Sequence, residues 1–492
     1  MKHLVRTAAA AVFVTTAIAA PAQAGQVSGA TPFATNCNGA PQSGTENRSS
    51  EVEPYAAIQP GASSLTAAPI IGVWQQDRWS NGGANGLAAG TSADGGATWT
   101  DQGPGQLPAF SHCQGGSFER ATDPWVSISP NGTAYFMSLS FNASTPGQEN
   151  AMQVSRSTNG GQTWGPVSTL INETKPTAFN DKNSLTADPY DSRYAYAVWD
   201  RLVNPTEAAA KGRSWEENTG YYGPAWMSRT TNGGVSWEAA RKIYDPATDG
   251  PGNGRNDQTI GNQIVVLPDG SLLDVFNLIH NDNAHKRRGD KVAVIRSTDH
   301  GVTWDTTAKI ISPLQSVGVR DPSTGAAVRT GDIIPEVSVD QRTGAVYVAW
   351  QDSRWSNGAY DEIAFSASFD GGRTWSTPER VNTPSGGPAF NPAIRVLADG
   401  TVGVLYYDFR FDSPHASSLP TNVWLATRNA VFGTWSEQPV DGPFNLLEAA
   451  FASGYFVGDY QGLTSAGNEF LAFYGKTGGV GPSDIAARRL TP

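Results

Sequence analysis

The sequence predicts an all-β protein built as a β-propeller. Three observations support this prediction: a turn motif that recurs along the chain, short strand-forming runs between the turns, and the distance between copies. Consecutive copies lie roughly 60 to 75 residues apart, which is too wide for a solenoid and fits one blade of a propeller.

The turn motif ends in tryptophan and is present in five clear copies. Each copy starts with Ser or Thr, continues through Asp or Asn and a glycine, and ends in Ser or Thr followed by Trp. The copies span residues 92–99, 157–164, 230–237, 297–304 and 368–375, and a sixth, degenerate copy ends at Trp435. Asp or Asn binds nearby backbone, glycine adopts positive φ, and Trp covers the hairpin, so each copy predicts a tight turn.

These motifs resemble the Asp boxes, or BNR repeats, of the sialidase (neuraminidase) superfamily. The resemblance extends over nearly the whole chain after its N-terminal segment. It implies a β-propeller fold. It leaves the activity open, because the superfamily includes glycosidases, lyases and non-catalytic binding proteins, and one fold hosts many chemistries.

Each repeat is predicted to contain four strands, A to D. Strand A leads into a turn with glycine, strand B is rich in aromatic residues, strand C enters the repeated turn, and strand D leaves from its Trp. A strands begin near Glu53, Pro124, Ser184, Thr259, Ile333, Pro392 and Gly458. Seven blades are therefore favoured, and six, the number usual in sialidases, is the alternative. The last repeat shows three strands, so a strand from the N-terminal arm is expected to close the ring.

The N-terminal residues 1–24 are predicted to be a signal peptide. Lys2, His3 and Arg6 give a positive start, residues 7–20 are apolar or small, and Ala22-Gln23-Ala24 forms a cleavage site. Residues 25–50 are predicted to be an arm, and residues 51–492 a single propeller domain. No stretch is long and apolar enough to anchor the chain in a membrane, so we expect a secreted, extracellular protein.

The net charge limits the classes of partner, and the two cysteines indicate the redox compartment. The net charge of -11 argues against nucleic acid and anionic membrane surfaces as partners. Cys37 and Cys113 are expected to form one disulfide in an oxidising compartment, with two free thiols as the alternative. We expect a monomer without a cofactor, and Ca²⁺ held by carboxylates near the axis is the alternative.

The candidate site lies in the loops that connect strand D to strand A. These loops lead into the innermost strands, so they converge on the axis, on the rim opposite the repeated turns. Hydrolysis of a glycosidic bond needs an acid, a base or nucleophile, and cations for any substrate carboxylate. The candidate catalytic residues are Asp123, Asp181, Asp257, Asp332, Asp459 and Tyr460. The candidate substrate-binding residues are Arg120, Lys182, Arg255, Gln258 and Arg320. The alternative for each is a structural role, as a cap on strand A or a bridge between blades.

A second pattern follows strand B, where Asp and Arg lie next to each other in four repeats. Its copies are Asp77-Arg78, Asp200-Arg201, Asp352-Ser353-Arg354 and Asp408-Phe409-Arg410. A pair repeated in four blades is interpreted as a structural ion pair. One long loop breaks the pattern, and its Trp215, Tyr221 and Tyr222 are candidates for stacking against a sugar.

The resemblance implies, for a true sialidase, an arginine triad, a Tyr nucleophile partnered by Glu, and a separate Asp acid/base. The Arg-Ile-Pro motif that sialidases carry ahead of the first Asp box is absent, and the chain reads Glu53-Pro54-Tyr55 there. The missing motif argues against sialidase activity itself. From the propeller and its converging acidic and basic residues we expect a secreted, sialidase-like glycoside hydrolase that acts on an acidic extracellular glycan. The alternatives are a uronic-acid polysaccharide lyase on the same fold and a non-catalytic propeller that binds carbohydrate or protein.

Overall fold

The described chain consists of small antiparallel sheets joined by turns and short helical segments. A computed structural model describes residues 25–144, 149–204, 222–249, 257–281, 287–413, 417–429 and 433–492. Its helices within these ranges are three short 3-10 turns, His112–Gln114, Pro246–Thr248 and Leu446–Glu448.

The first half of the chain forms an N-terminal strand and three sheet units. The N-terminal strand is β1 (Gly25–Gln26). The first unit contains β2 (Glu46–Ile58), β3 (Ile70–Trp79), β4 (Ala84–Ser92) and β5 (Thr100–Asp101). The second contains β6 (Arg120–Ile128), β7 (Ala134–Phe141), β8 (Asn150–Ser157) and β9 (Ser168–Glu173). The third contains β10 (Ala178–Ala187), β11 (Ala195–Val203), β12 (Ala225–Thr230) and β13 (Arg241–Tyr244). The pair Ala84 and Ala121 joins the first two units along β4 and β6.

The second half repeats the same arrangement. The fourth unit contains β14 (Gln258–Val266), β15 (Leu272–Asn281), β16 (Arg287–Ser297) and β17 (Lys309–Leu314), and the short strands β18 (Val319–Arg320) and β19 (Ala327–Arg329) follow it. The fifth contains β20 (Glu336–Val339), β21 (Val346–Asp352), β22 (Glu362–Ser368) and β23 (Glu379–Arg380). The sixth contains β24 (Ala389–Val396), β25 (Val402–Asp408), β26 (Pro420–Arg428) and β27 (Ser436–Asn445), followed by β28 (Tyr455–Phe456). The last contains β29 (Gly462–Ala466), β30 (Glu469–Lys476) and β31 (Asp484–Leu490).

The innermost strands of these units surround a common axis. In the described chain each contacts the next in the order β2, β6, β10, β14, β20, β24 and β29, and β29 contacts β2 again. Within each unit the strands pair antiparallel in chain order. The prediction of an all-β propeller is confirmed, because the innermost strands form a closed cycle with sheets radiating outward.

The N-terminal arm is attached to the last sheet and to the segment between the first two sheet units. Strand β1 pairs antiparallel with β31, with Gly25 opposite Ala487, and so adds an outer strand to the last sheet. Further along the arm, Cys37 and Cys113 form a disulfide with their Cα atoms 4.8 Å apart. The arm therefore connects the last sheet to the segment that precedes β6.

The core lies between neighbouring sheets and is anchored by tryptophans of the second strands. Trp74, Trp199 and Trp350 are buried at corresponding places in β3, β11 and β21. Each indole N–H has a partner: Gln76 Oε1 at 3.1 Å, Asn180 Oδ1 at 2.9 Å and Asp352 Oδ2 at 2.9 Å. Buried indole N–H groups need such partners, so the large rings are packed without an unsatisfied donor.

The five repeated turns share one hydrogen-bond pattern. In the first copy, Thr98 donates to Asp94 through its backbone N–H (2.9 Å) and its hydroxyl (2.6 Å), and Gly96 N–H donates to Ser92 Oγ (2.8 Å). Where Asn replaces Asp, as at Asn159, its Nδ2 donates to Thr163 Oγ1 (2.9 Å) instead. Asp and Asn therefore build the same turn, and only Asp carries a titrating charge.

The turn carboxylates are stabilised in their ionised form. Hydrogen bonds from Thr98 lower the pKa of Asp94 to about 2. At Asp299 and Asp370 slight burial acts in the opposite direction, but hydrogen bonds from the equivalent threonines outweigh it and lower the pKa to about 2 as well.

Among the described residues, no helix has the length and apolar character needed to cross a membrane.

We expect replacement of Asp94, Asp299 and Asp370 together by Asn to reduce the acid sensitivity of the fold. The pKa of each folded carboxyl, about 2, lies below its ordinary value of 3.8. Each therefore stabilises the fold above about pH 4, and this stability is lost as the pH falls toward about 2. Thermal unfolding followed by circular dichroism, at about pH 5 and about pH 2.5, should show a smaller loss of Tm in the Asn variant than in wild type.

The triple Ala variant is the matched control for this experiment. It removes the turn hydrogen bonds, so its Tm should be lower than that of wild type at both pH values. Equal acid-induced losses of Tm in the Asn variant and wild type would contradict the assignment.

Candidate active site

A cavity of about 410 Å³ opens at the axis where the innermost strands begin. Its charged lining residues are Glu53, Arg78, Asp123, Asp181, Lys182, Arg329, Asp332 and Asp459. Five of the residues predicted for the site, Asp123, Asp181, Asp332, Asp459 and Lys182, therefore meet in one cavity although they lie far apart in sequence.

A repeated backbone distortion lies at the start of the innermost strands. The pairing register shifts in β2, β6, β10, β14 and β24. At these shifts Glu53, Asp123, Lys182, Gly261 and Asn391 have φ values of 54°, 55°, 39°, 73° and 50°. Positive φ costs a non-glycine residue on the order of 1 kcal/mol and is concentrated at functional sites. The bulges bring Glu53, Asp123 and Lys182 into the cavity lining, and bulges commonly redirect side chains next to active sites.

Asp459 is held by an ion pair and by a second carboxyl group. Arg329 donates to it through Nη2 (2.7 Å) and Nε (3.2 Å), and the Glu53 carboxyl forms a hydrogen bond with it. Burial alone would raise the pKa of Asp459, but the interaction with Arg329 outweighs burial and lowers it. Burial, together with the charges of Asp123 and Asp459, raises the pKa of Glu53 well above its ordinary value. The proton of this pair therefore resides on Glu53, and Asp459 is ionised.

Asp123 has the opposite electrostatic environment. It is buried, and Thr122 Oγ1 donates to its Oδ1 at 2.8 Å. Burial raises the pKa of Asp123, and the nearby Lys182 ammonium opposes this shift without cancelling it. One cavity thus contains two carboxyl groups whose pKa values are shifted in opposite directions, that of Asp123 upward and that of Asp459 downward. Hydrolases separate an acid from a base in this way.

An aromatic layer lies next to the cavity. Tyr55 stacks on Trp125 with ring centroids 3.8 Å apart, and the Trp125 ring lies 5.5 Å from that of Tyr460. Lys182 Nζ lies 3.9 Å from the Tyr460 ring centroid. Tyr55 and Trp125 also line a second cavity, of about 260 Å³, among the other ends of the innermost strands. The layer therefore separates the two cavities.

The environment of Tyr460 corrects the role expected from the sequence. Its hydroxyl donates to the Pro124 carbonyl at 3.1 Å, and its side chain is buried. Burial raises the pKa of Tyr460 well above its ordinary value. A nucleophilic tyrosine needs an accessible hydroxyl and an adjacent base. Tyr460 is instead a packing residue that supports Lys182.

Arg120 also differs from its expected role as a substrate clamp. Its Nε donates to Gln42 Oε1 (2.8 Å), its Nη2 to Ser43 O (2.9 Å), and its Nη1 to Asn81 Oδ1 (2.9 Å) and Gly82 O (2.6 Å). Burial lowers the pKa of Arg120 to about 9. Arg120 therefore fixes the N-terminal arm against the loop that carries Asn81 and Gly82, which line the cavity.

Three other predicted residues lie away from the axial cavity, and one is not described. Asp257 Oδ2 lies 2.9 Å from His280 Nδ1. Gln258 is buried at the start of β14, and Arg320 lines a neighbouring pocket. Arg255 lies outside the described residues, as do Trp215 and Tyr221.

The repeated Asp and Arg pattern proves to be mixed. Arg354 binds Asp352 through Nε (2.8 Å) and Nη2 (2.6 Å), and Arg410 pairs with Asp408, as a structural ion pair requires. Arg201 pairs with Glu173 rather than with its neighbour Asp200, and Arg78 lines the axial cavity, where its Nη1 donates to Gln75 Oε1 at 3.0 Å.

Sequence reasoning missed Glu53, Arg78 and Arg329 as site residues. A signal for Glu53 was present, because Glu53-Pro54, Asp123-Pro124 and Asn391-Pro392 occupy the same place in their repeats. Proline removes a ladder donor and is tolerated at bulges, so this recurrence marks the distorted positions. Arg329 lies in a long inter-repeat loop, and nothing in its local sequence indicates which carboxylate it binds.

Within the ranges that the structure describes, no three His, Cys, Asp or Glu side chains are grouped so as to hold a metal ion.

Known proteins resemble parts of this chain. No protein-family model matches it. A sialidase from Bacteroides fragilis (strain YCH46) is 29% identical over 140 residues, which cover 25% of this chain and 25% of that protein. The chain is similar to the sialidase superfamily. The matched segment spans a quarter of the length of that sialidase.

Three solved structures resemble the sialidase-like propeller at low identity. The Hadza microbial sialidase Hz136 is 13% identical with a TM-score of 0.47, covering 93% of this chain and 91% of that chain. An alpha-L-arabinanase from Penicillium chrysogenum, complexed with arabinobiose, is 12% identical with a TM-score of 0.46, covering 91% and 98%. A Trypanosoma rangeli sialidase is 12% identical with a TM-score of 0.43, covering 75% and 53%.

Replacement of Arg329 by Met is expected to destabilise the protein by on the order of 2–3 kcal/mol, because it leaves the Asp459 carboxylate without its ion pair. The free energy of unfolding in urea measures this loss. Arg320→Met is the matched control, since Arg320 belongs to the same inter-repeat loop and is exposed. The control should change the free energy by less than about 0.5 kcal/mol. Equal changes in the free energy of unfolding for the two variants would show that the ion pair between Arg329 and Asp459 does not stabilise the protein.

Proposed function

We propose that this protein is a secreted glycoside hydrolase that acts on an acidic glycan. The observation that carries this proposal is the presence of Asp123 and Asp459 in one cavity, with their pKa values shifted in opposite directions. Glycosidases need this division, since one carboxyl must give a proton to the leaving group while another remains ionised.

Asp123 is assigned as the general acid. It gives its proton to the glycosidic oxygen as the bond from that oxygen to the anomeric carbon breaks. Its raised pKa keeps the proton available, and the hydrogen bond from Thr122 orients the carboxyl. The free carboxylate of Asp123 recovers a proton from solvent after product release.

Asp459 is assigned as the base and electrostatic partner. It takes a proton from the attacking water, whose oxygen bonds to the anomeric carbon, and its charge stabilises the positive transition state. Asp459 releases this proton to solvent when the product leaves. Arg329 fixes the orientation of the Asp459 carboxylate. Because the pKa of Glu53 is raised well above its ordinary value, its neutral carboxyl adds no second negative charge beside Asp459. Glu53 therefore acts as a positioning residue.

The acidic substrate class is proposed from the cations in the lining. Arg78 and Lys182 border the cavity together with Arg329, although the whole protein carries a net charge of -11. A local group of cations can bind a substrate carboxylate in spite of the global field, because close charge-assisted hydrogen bonds dominate over distant, screened charges.

Activity should depend on Asp123 and Asp459. We expect Asp123→Asn and Asp459→Asn each to lower kcat about 10²- to 10⁴-fold on acidic oligosaccharides, because each removes one proton-transfer group. Release of reducing sugar measures this. Asp399→Asn is the matched control: Asp399 Oδ1 accepts from Thr401 N–H at 2.8 Å in a turn on the opposite rim, and Asn keeps that acceptor.

Other outcomes of the same screen distinguish the rival functions. A product absorbing in the ultraviolet through a new double bond would identify a lyase. The described cavity lining contains neither Tyr nor His to act as the lyase base, which favours hydrolysis. Absence of turnover by the wild type on any acidic glycan would overturn the hydrolase in favour of a binding propeller.

Secretion is proposed from residues 1–24 and is supported by the disulfide between Cys37 and Cys113, a bond typical of exported proteins. Expression in a secreting bacterium should release a mature protein that begins at Gly25, as read by N-terminal sequencing. A protein retained inside the cell with Met1 intact would refute this proposal.

A further inference from the structure

Three short strands form a small sheet that belongs to none of the units around the axis. Strand β18 pairs antiparallel with β19, and β19 pairs parallel with β28. The first two strands come from the loop between the fourth and fifth sheet units, and β28 comes from the loop between the sixth and the last. Two distant loops are therefore joined into one side sheet, which is defined here as β18, β19 and β28.

The strands of the side sheet are only two or three residues long, and close contacts hold them in place. Gly454 lies so close to β19 that a Cβ on it would be 2.6 Å from Arg329 N, so the two loops meet backbone to backbone. The Arg329 guanidinium lies 4.6 Å from the Phe456 ring centroid and binds Asp459. The same residue thus attaches the side sheet to the carboxylate of the axial cavity.

A side pocket of about 200 Å³ lies against this sheet. It shares Arg329, Thr330, Asp332 and Ser453 with the lining of the axial cavity. The two spaces are therefore direct neighbours.

The side pocket has the surface chemistry of a sugar subsite. Val317 lines it with half of its surface exposed (50%), and Arg320, also exposed, donates to Gly325 O at 3.2 Å. Val319, Ala327 and Val328 also belong to the lining of the side pocket. Sugars present apolar C–H faces and hydroxyl groups, so apolar side chains beside a fixed donor suit them.

We propose that the side pocket binds the sugar residue adjacent to the one in the axial cavity, so that the enzyme selects oligosaccharides over single-sugar glycosides. This inference rests on the proposed glycoside hydrolase function. Contacts to a neighbouring sugar are made away from the reacting bond, and binding energy from such remote parts of a substrate raises the rate at the bond that is cleaved.

The test compares two substrates of the sugar that the wild type releases from acidic glycans: its methyl glycoside, whose leaving group is too small to fill the side pocket, and an oligosaccharide that contains this sugar. Val317→Asp and Arg320→Ala are expected to lower kcat/KM for the oligosaccharide by about 10-fold or more, since each removes a contact to the second sugar. Neither variant should change kcat/KM for the methyl glycoside, which is measured by release of reducing sugar. Val235→Asp, at an exposed valine of a repeated turn, is the control and should change neither value.

The outcomes separate this inference from the function on which it rests. If the wild type cleaves both substrates and the variants leave the ratio of the two kcat/KM values unchanged, the side pocket is not a subsite and the hydrolase assignment remains. If the wild type releases no sugar from any acidic glycan, the hydrolase assignment is wrong and the subsite is overturned with it. A loss confined to the oligosaccharide establishes the subsite.

Discussion

The site of this protein depends on a backbone distortion repeated where its innermost strands begin. Glu53, Asp123 and Lys182 adopt positive φ at register shifts, and their side chains then line one axial cavity. The closed cycle of innermost strands brings these positions together, and each sheet packs against two neighbours. Local strain of this kind persists only where the surrounding structure over-determines it, so the ring that creates the site also stabilises its distorted residues.

Electrostatics in the cavity follows from burial combined with unequal pairing. Burial raises the pKa of a carboxyl group, yet the pKa of Asp459 is lowered because Arg329 contacts its carboxylate directly. The pKa of Asp123 is raised because the Lys182 ammonium only partly offsets the effect of burial. Two aspartates in one cavity thus have pKa values shifted in opposite directions by their nearest partners. That difference, rather than the presence of carboxylates alone, is what makes acid–base chemistry available at this site.

Much of the fold could be predicted because its signals are local. The repeated turns read directly as hydrogen-bonded loops, and the observed pattern at Asp94 and Asn159 follows from their side chains. The convergence of Asp123 and Asp459 followed from ring geometry. The roles of Arg120 and Tyr460 did not, since their partners, Gln42 and Pro124, lie far away in sequence. The role of a buried side chain depends on the residues that it contacts. Contacts between different sheets of the ring produce no repeating pattern in the sequence.

The sequence by itself determined the repeating sheet unit, the rim on which the long loops lie, and the types of residue that gather there. Only the tertiary structure decided which carboxyl retains a proton and which long loops meet at the side sheet. The physical reason is that turns and strands depend on interactions between residues near in sequence, whereas a pKa depends on burial and on charges within a few ångströms, from whichever part of the chain they come.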